Sequence, residues 1–267
     1  MCYHNGQKVT GNEFIKLKNL QKELLRYETM LNNPLINGFD YGLSAVLVPV
    51  NEDDFDLVQM EWGFIPAYLK NRDAVNKMRF GYKDENGQFK PPLTTLNAKG
   101  EELLKPGKIY RDAALHRRCL VLSSGFYEWR HVYPLNKKTG QPLKTANKFP
   151  YYIGVKNRPY FFMAGIYQPW TDRETGEHVN TFAIVTTDAN KVMQQIHNTK
   201  LRMPTILDDN LAFNWIFGSP DENSIQQLAT NQISSTDLST YSIAKNFKES
   251  LDPTEPYKYE GLEDLVS

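Results

Sequence analysis

The sequence predicts an α+β fold: a single domain with an antiparallel, barrel-like β core flanked by a few helices. Short apolar runs rich in Val, Ile, Phe and Tyr recur through the chain, separated by Gly, Pro and Asn turn signals. Helical periodicity is confined to a few short segments. No internal repeat and no clear linker interrupts the 267 residues, a length that suits one large domain with a substantial core.

The elements follow in chain order. Residues 12–31 place Phe14, Leu17, Leu20, Leu24, Leu25 and Met30 near helical spacing, and Asn32-Asn33-Pro34 stops that expected helix. Ser44–Val50 and Leu57–Phe64 read as strands. Residues 70–95 are polar, with turns at Asn86-Gly87 and Pro91-Pro92, and read as irregular. Leu96-Asn97-Ala98-Lys99 leads into an expected helix through Glu101–Leu104. Arg118–Leu122 has the composition of a buried strand; it pauses at Ser123-Ser124-Gly125 and resumes over Phe126–Trp129. An exposed hairpin loop is expected over 134–149. Strands follow at Tyr151–Val155, Tyr160–Tyr167 and Thr181–Thr186, then helices over Asp188–Ile196, 208–217 and 221–230. The domain is expected to span residues 1–247, with 248–267 a polar, acidic tail lying loosely on the surface.

Charged residues make up 23% of the chain and cancel to zero. That balance argues against coating nucleic acid by bulk electrostatics and leaves room for a local basic cleft. Two cysteines, Cys2 and Cys119, make neither a disulfide framework nor a zinc cluster. No apolar run follows the start, and no stretch approaches the roughly 20 apolar residues of a membrane span. A soluble, cytoplasmic protein without metal or cofactor is expected.

Four places could carry chemistry. Cys2 becomes N-terminal if Met1 is removed; its α-amine and thiol then sit on adjacent carbons, and both have nucleophilic fractions near neutrality. Such a 1,2-aminothiol condenses with an aldehyde, imine first and then a five-membered thiazolidine. It can also act in acyl transfer with its own amine as base. Taken alone, a cysteine at position 2 is more often incidental. Glu128, among the aromatics of Phe126-Tyr127-Glu128-Trp129, becomes a proton-transfer group if desolvated, and otherwise is a solvated strand-edge residue. His197 suits proton shuttling near neutral pH, and Arg202 suits a phosphate; the bland alternatives are a helix-end His and a surface Arg. Asn97 either orients an amine or caps a helix, and Lys99 could meet phosphate.

In order, these segments are Met1-Cys2, Glu61-Trp62-Gly63-Phe64-Ile65-Pro66, Leu96-Asn97-Ala98-Lys99, Ser124-Gly125-Phe126-Tyr127-Glu128-Trp129, Phe162–Tyr167, Phe182–Thr187, and Ile196-His197 with Arg202-Met203-Pro204. Together they resemble the SOS response-associated peptidase (SRAP), or abasic site processing, family, from residue 2 to about residue 207. The resemblance implies a barrel-like α+β domain that binds single-stranded DNA, removes its own Met1 and links the new N-terminal Cys2 to the aldehyde of an abasic site as part of the DNA damage (SOS) response. It implies Cys2 as nucleophile, Asn97 positioning its amine, Glu128 handling protons and His197 assisting sugar ring opening and reversal.

By the same resemblance Lys99, Thr186, Arg202 and His4 fall where the family contacts DNA. The chain departs from the pattern in its Cys2-Tyr3-His4-Asn5 start, where Cys-Gly-Arg-Phe is common. Lys99 stands where Arg is usual, an Asn-x-x-Pro segment is absent, and Asn198–Leu201 is inserted after His197. The implied partner is single-stranded DNA with abasic sites, bound by a monomer that joins the nucleoid when on DNA. Aromatics such as Trp62, Phe64 or Tyr68 could stack on neighbouring bases, with Trp62 favoured for the core. Two other functions fit the same residues: a thiol peptidase or amide hydrolase acting in trans, and a non-enzymatic single-stranded-DNA-binding module.

Overall fold

A computed structural model describes residues 2–10 and 12–266. The strands and helices, in order, are β1 (His4–Lys8), β2 (Phe14–Leu17), β3 (Leu20–Glu23), β4 (Asn32–Asn37), β5 (Leu43–Pro49), β6 (Phe55–Trp62), α1 (Arg72–Phe80), β7 (Tyr82–Lys83), β8 (Phe89–Lys90), β9 (Asn97–Lys99) and α2 (Arg111–His116). There follow β10 (Arg118–Ser123), β11 (Gly125–Val132), β12 (Asn147–Val155), β13 (Phe161–Thr171), β14 (His178–Asp188), α3 (Lys191–Ile196), β15 (Arg202–Pro204), β16 (Ile206–Leu207), α4 (Asp209–Phe217), α5 (Glu222–Ala229) and β17 (Leu238–Ser242).

The expected α+β class with a barrel-like core is observed. Strands β5, β6, β14, β13 and β10 pair in that order, and β10 returns to β5, closing a ring of five. Four of its pairings are antiparallel; β6 and β14 run parallel at Glu61–Thr181 and Trp62–Phe182. A second, five-stranded sheet runs β17-β12-β11-β1-β4. Because successive strand residues face opposite ways, each barrel strand feeds two cores. Leu47, Leu120, Phe162 and Val185 join a cluster that includes Trp215 of α4 and Ile225 of α5. Val46, Val121, Met163 and Ile184 join another that includes Cys2, Phe126 and Ile153 of the second sheet side and Met193 and Ile196 of α3. Closure leaves the barrel with no free edge along these pairings.

Buried amides fasten the second sheet to the barrel. Gln7 Nε2 donates to the carbonyls of Ala45 and Leu122, both at 2.8 Å, and its Oε1 accepts from the Ala45 N–H at 2.9 Å. Asn5 Oδ1 accepts from Ser123 Oγ at 2.6 Å. Every hydrogen-bonding atom of the Gln7 amide thus finds a backbone partner, which is what makes its burial tolerable.

Three expectations are corrected. Residues 12–31 form no long helix: β2 and β3 make a hairpin, turned at Lys18 with φ 56, and a single 3-10 turn covers Leu24–Tyr27. Ile15 and Leu17 are fully buried while Lys16 is exposed, so the period is two and tertiary burial overrides the apparent helical spacing. The stretch 70–95 holds helix α1, capped by Asn71, whose side chain accepts from the Ala74 N–H, and ended at Gly81 with φ 76. Its polar residues are divided: Asp73, Asn76 and Lys77 are exposed, while Arg79 is buried and donates to Glu61 Oε1 at 2.6 Å and to the Gly63 carbonyl at 2.7 Å. Asn97 caps no helix but opens β9, which runs parallel to β14.

Residues after Lys248 also make fixed contacts: Tyr259 donates to the Ile243 carbonyl at 2.7 Å, and Leu262 and Leu265 pack against the Cys2 core cluster. No helix of the described residues is long and apolar enough to cross a membrane.

Candidate active site around Cys2

Cys2 lies just ahead of β1, fully buried, with Sγ 3.7 Å from the His4 carbonyl. Strand β9, held by parallel pairing to β14, brings Asn97 to it across 95 positions of sequence: Nδ2 donates to the Cys2 carbonyl at 2.9 Å. The Asn97 Oδ1 is buried and has no hydrogen-bond partner among the described residues.

Glu128 sits on β11. Alternation along that strand sends Phe126 and Glu128 to the Cys2 side, while Tyr127 packs with Phe247 on the other face. Helix α3, capped by Asn190 accepting from the Met193 N–H, ends at His197. The Nε2 of His197 comes within 3.8 Å of Glu128 Oε2. Its Nδ1 lies 2.8 Å from the Arg202 carbonyl. A carbonyl can only accept, so Nδ1 carries the proton, and the Nε2 lone pair of the neutral ring faces Glu128. Asn198 grips β11 from the same loop: it accepts from the His131 N–H at 3.0 Å and donates to the His131 carbonyl at 2.8 Å.

Electrostatics follow from burial. Burial raises the Glu128 carboxyl to about 7. It pushes the Cys2 thiol far up, and the Glu128 charge adds to this. It lowers His197 to about 4. The group poised to give and take protons near neutral pH is therefore Glu128, with a neutral imidazole beside it and an un-ionised thiol. The expected quartet of Cys2, Asn97, Glu128 and His197 thus converges in one place.

The residues expected at DNA are placed differently from one another. Lys99 is exposed, with Nζ 3.9 Å from Glu102. Thr186 is fully buried, its hydroxyl donating to the Ala98 carbonyl at 3.4 Å. Arg202 is buried and directed inward: it donates to Asp188 Oδ1 and Glu101 Oε2, each at 2.7 Å, and to the Thr186 carbonyl at 2.6 Å. It ties β15, β14 and the turn after β9 together. His4 is buried, with Nε2 2.9 Å from Lys248 Nζ and its ring against Trp129. Burial, then the Lys248 charge, lowers it to about 4, so it is neutral at pH 7. Of the aromatics, Trp62 and Phe64 are core residues and Tyr68 is exposed. Sequence reasoning missed Asn198 and also Arg130, which stands two positions beyond Glu128 on the same strand face; strand alternation was the available signal for the latter.

A five-strand barrel that buries a thiol beside an amide, a carboxyl and an imidazole defines a class of thiol-centred barrel proteins. The chain belongs to the SOS response associated peptidase (SRAP) family, whose pattern matches residues 28–250. It is 29% identical over 189 residues to the abasic site processing protein YoqW of Bacillus subtilis, covering 70% of this chain and 69% of that one. It is 28% identical over 166 residues to the abasic site processing protein HMCES of Gallus gallus, covering 58% of this chain and 43% of that longer relative. A solved structure from Bacteroides thetaiotaomicron matches with a TM-score of 0.69 at 27% identity, over 96% of this chain and 97% of that one. A phage-related protein of Bordetella bronchiseptica, at 18% identity and a TM-score of 0.62, shares the fold over 91% of this chain and 95% of its own.

Proposed function

We propose that this protein captures abasic sites in single-stranded DNA through Cys2, after removing its own Met1. Met1 itself lies outside the described residues. The observation that carries the reading is the meeting of Cys2, Asn97, Glu128 and His197 in one buried cluster whose carboxyl titrates near neutrality. The names of the relatives, abasic site processing proteins, support the substrate.

Hydrolysis of the Met1–Cys2 bond consumes one water and frees the α-amine. The Asn97 amide, with Nδ2 engaged by the Cys2 carbonyl, keeps Oδ1 to accept from that amine. An abasic deoxyribose exposes an aldehyde when its ring opens: the His197 Nε2 lone pair accepts the C1 hydroxyl proton, the bond from C1 to the ring oxygen breaks, and that oxygen takes the proton from His197. The amine adds to the aldehyde carbon. The resulting hydroxyl leaves as water with a proton from Glu128, and the nitrogen proton returns to the Glu128 carboxylate, giving a neutral imine. Sγ then bonds to the imine carbon, its proton passes to nitrogen, and a thiazolidine closes. The net condensation loses one water. A ring with both heteroatoms on the former aldehyde carbon no longer offers the open-chain imine from which strand cleavage proceeds.

Incubation with single-stranded DNA bearing one abasic site, followed by a denaturing gel, tests this. A heat-resistant shifted band is expected for the wild type and none for Cys2→Ala. Unshifted DNA with the wild type sinks the reading.

A further inference from the structure

The C-terminal stretch crosses the two elements that carry Glu128 and His197. Val266 and Gln195 of α3 exchange hydrogen bonds, with the Val266 N–H donating at 2.8 Å and Gln195 Nε2 donating to the Val266 carbonyl at 2.6 Å. Leu262 and Leu265 pack against the core cluster that contains Cys2. Between these anchors, Arg130 Nη1 donates to the Glu263 carbonyl at 2.5 Å, and Nη2 lies 4.0 Å from its carboxylate. Arg130 is on the Glu128 face of β11, two residues further on, at the roughly 6.6–6.8 Å spacing of a strand.

The two sides of this contact are unequal. The Arg130 side chain is 13% exposed and Glu263 is 92% exposed. A pair with so solvated a partner is worth about 0–1 kcal/mol and is readily exchanged for a stronger anion. An Arg fork suits a phosphate better than a single distant carboxylate. Three acids, Glu260, Glu263 and Asp264, make the covering stretch anionic. Four exposed cations stand on the neighbouring elements: Lys245 Nζ lies 6.0 Å from the Tyr259 ring, Lys148 pairs opposite His131, Gln195 donates to the Lys191 carbonyl, and the Lys200 charge acts on His197. In a chain with no net charge, this is a local basic rim beside the reactive cluster, covered by an acidic segment.

We propose that Arg130 is a backbone-phosphate contact for the single strand flanking the lesion, held in the DNA-free protein by residues 259–266 as an acidic strap that DNA displaces. The inference rests on the DNA-capture reading above. The strap's reversible hold comes from Gln195 and Leu265; its specificity for this place comes from Arg130.

Binding of an undamaged oligothymidylate by fluorescence anisotropy, over a range of salt, tests it on full-length protein. Arg130→Gln should weaken binding and flatten the slope of log K against log salt by about 0.7, one phosphate contact. Gln195→Ala/Leu265→Ser should loosen the strap and tighten binding roughly threefold, within the range of one exposed ion pair. Adding Arg130→Gln should erase that gain. In the wild type, which avoids any folding defect of the variants, the Val266 amide should exchange its hydrogen faster once DNA is bound. An Arg130→Gln variant with wild-type affinity and slope, or a Val266 amide indifferent to DNA, overturns the inference. If the wild type still forms the abasic adduct, the function stands and only this inference falls. A wild type that binds no single strand overturns both.

Discussion

Asn97 Nδ2 donates to the backbone carbonyl of Cys2 over 2.9 Å, joining a strand beside the barrel to the segment that enters the second sheet. Asn97→Ala removes this side-chain hydrogen bond to the Cys2 carbonyl. Because Asn97 is only half-buried, the loss in stability should be about 1 kcal/mol. The loss in crosslinking rate should be larger, about tenfold to a hundredfold, as expected for a misplaced nucleophile. Single-turnover adduct formation beside thermal melting separates the two effects.

Glu128 sets a pH dependence with a definite sign. Its folded pKa, about 7, lies above the ordinary carboxyl value of 4.5. The folded protein therefore binds this proton more tightly than the unfolded chain does. Stability is lost as pH rises from about 4.5 through about 7. Glu128→Gln should gain on the order of 2–3 kcal/mol over wild type at pH 8 relative to pH 4.5 in denaturant titrations. The crosslinking rate of wild type should fall above about pH 7, as the protonated acid is lost, and Glu128→Gln should be slow with no such limb.

His4 acts in the opposite sense. Its folded pKa, about 4, lies below the usual 6.5. Its contribution to stability is present above about pH 6.5 and is lost as pH falls through about 4. Wild type should therefore lose stability relative to His4→Gln as pH falls from 7 to 4.5, measured by paired urea titrations. A constant difference across that range would contradict the burial argument.

Arg202 reads as a clamp in the structure. Arg202→Met removes hydrogen bonds to Asp188, Glu101 and the Thr186 carbonyl. It should cost about 2–4 kcal/mol. The salt dependence of single-strand binding by the folded variant should match wild type. A flatter slope would restore Arg202 to the DNA surface.

The barrel strands were legible because they are apolar on both faces: Val121 and Leu122 feed different cores, so the run reads as buried whichever way it is turned. Strand β1 was not legible. Its His-Asn-Gly-Gln-Lys sequence is polar, and it is buried because Asn5 and Gln7 find backbone partners on strands more than 30 positions away. Hairpin β2–β3 was misread for a related reason, since apolar residues at 14, 17, 20 and 24 satisfy a helix until Ile15 is seen to be buried. Ordered motifs singled out Cys2, Asn97, Glu128 and His197, which the structure brings together. The inward turn of Arg202 and the burial of Thr186 and His4 depend on tertiary partners that spacing does not reveal. The Asn198 grip on β11 joins residues 67 positions apart, which sequence spacing does not show.

The most direct measurement is the intact mass of the adduct formed with a single-stranded oligonucleotide containing one abasic site. The account predicts the mass of the chain beginning at Cys2 plus the oligonucleotide minus one water, stable to heat and absent from Cys2→Ala. An adduct that retains Met1, or one that Cys2→Ala forms equally well, would contradict it.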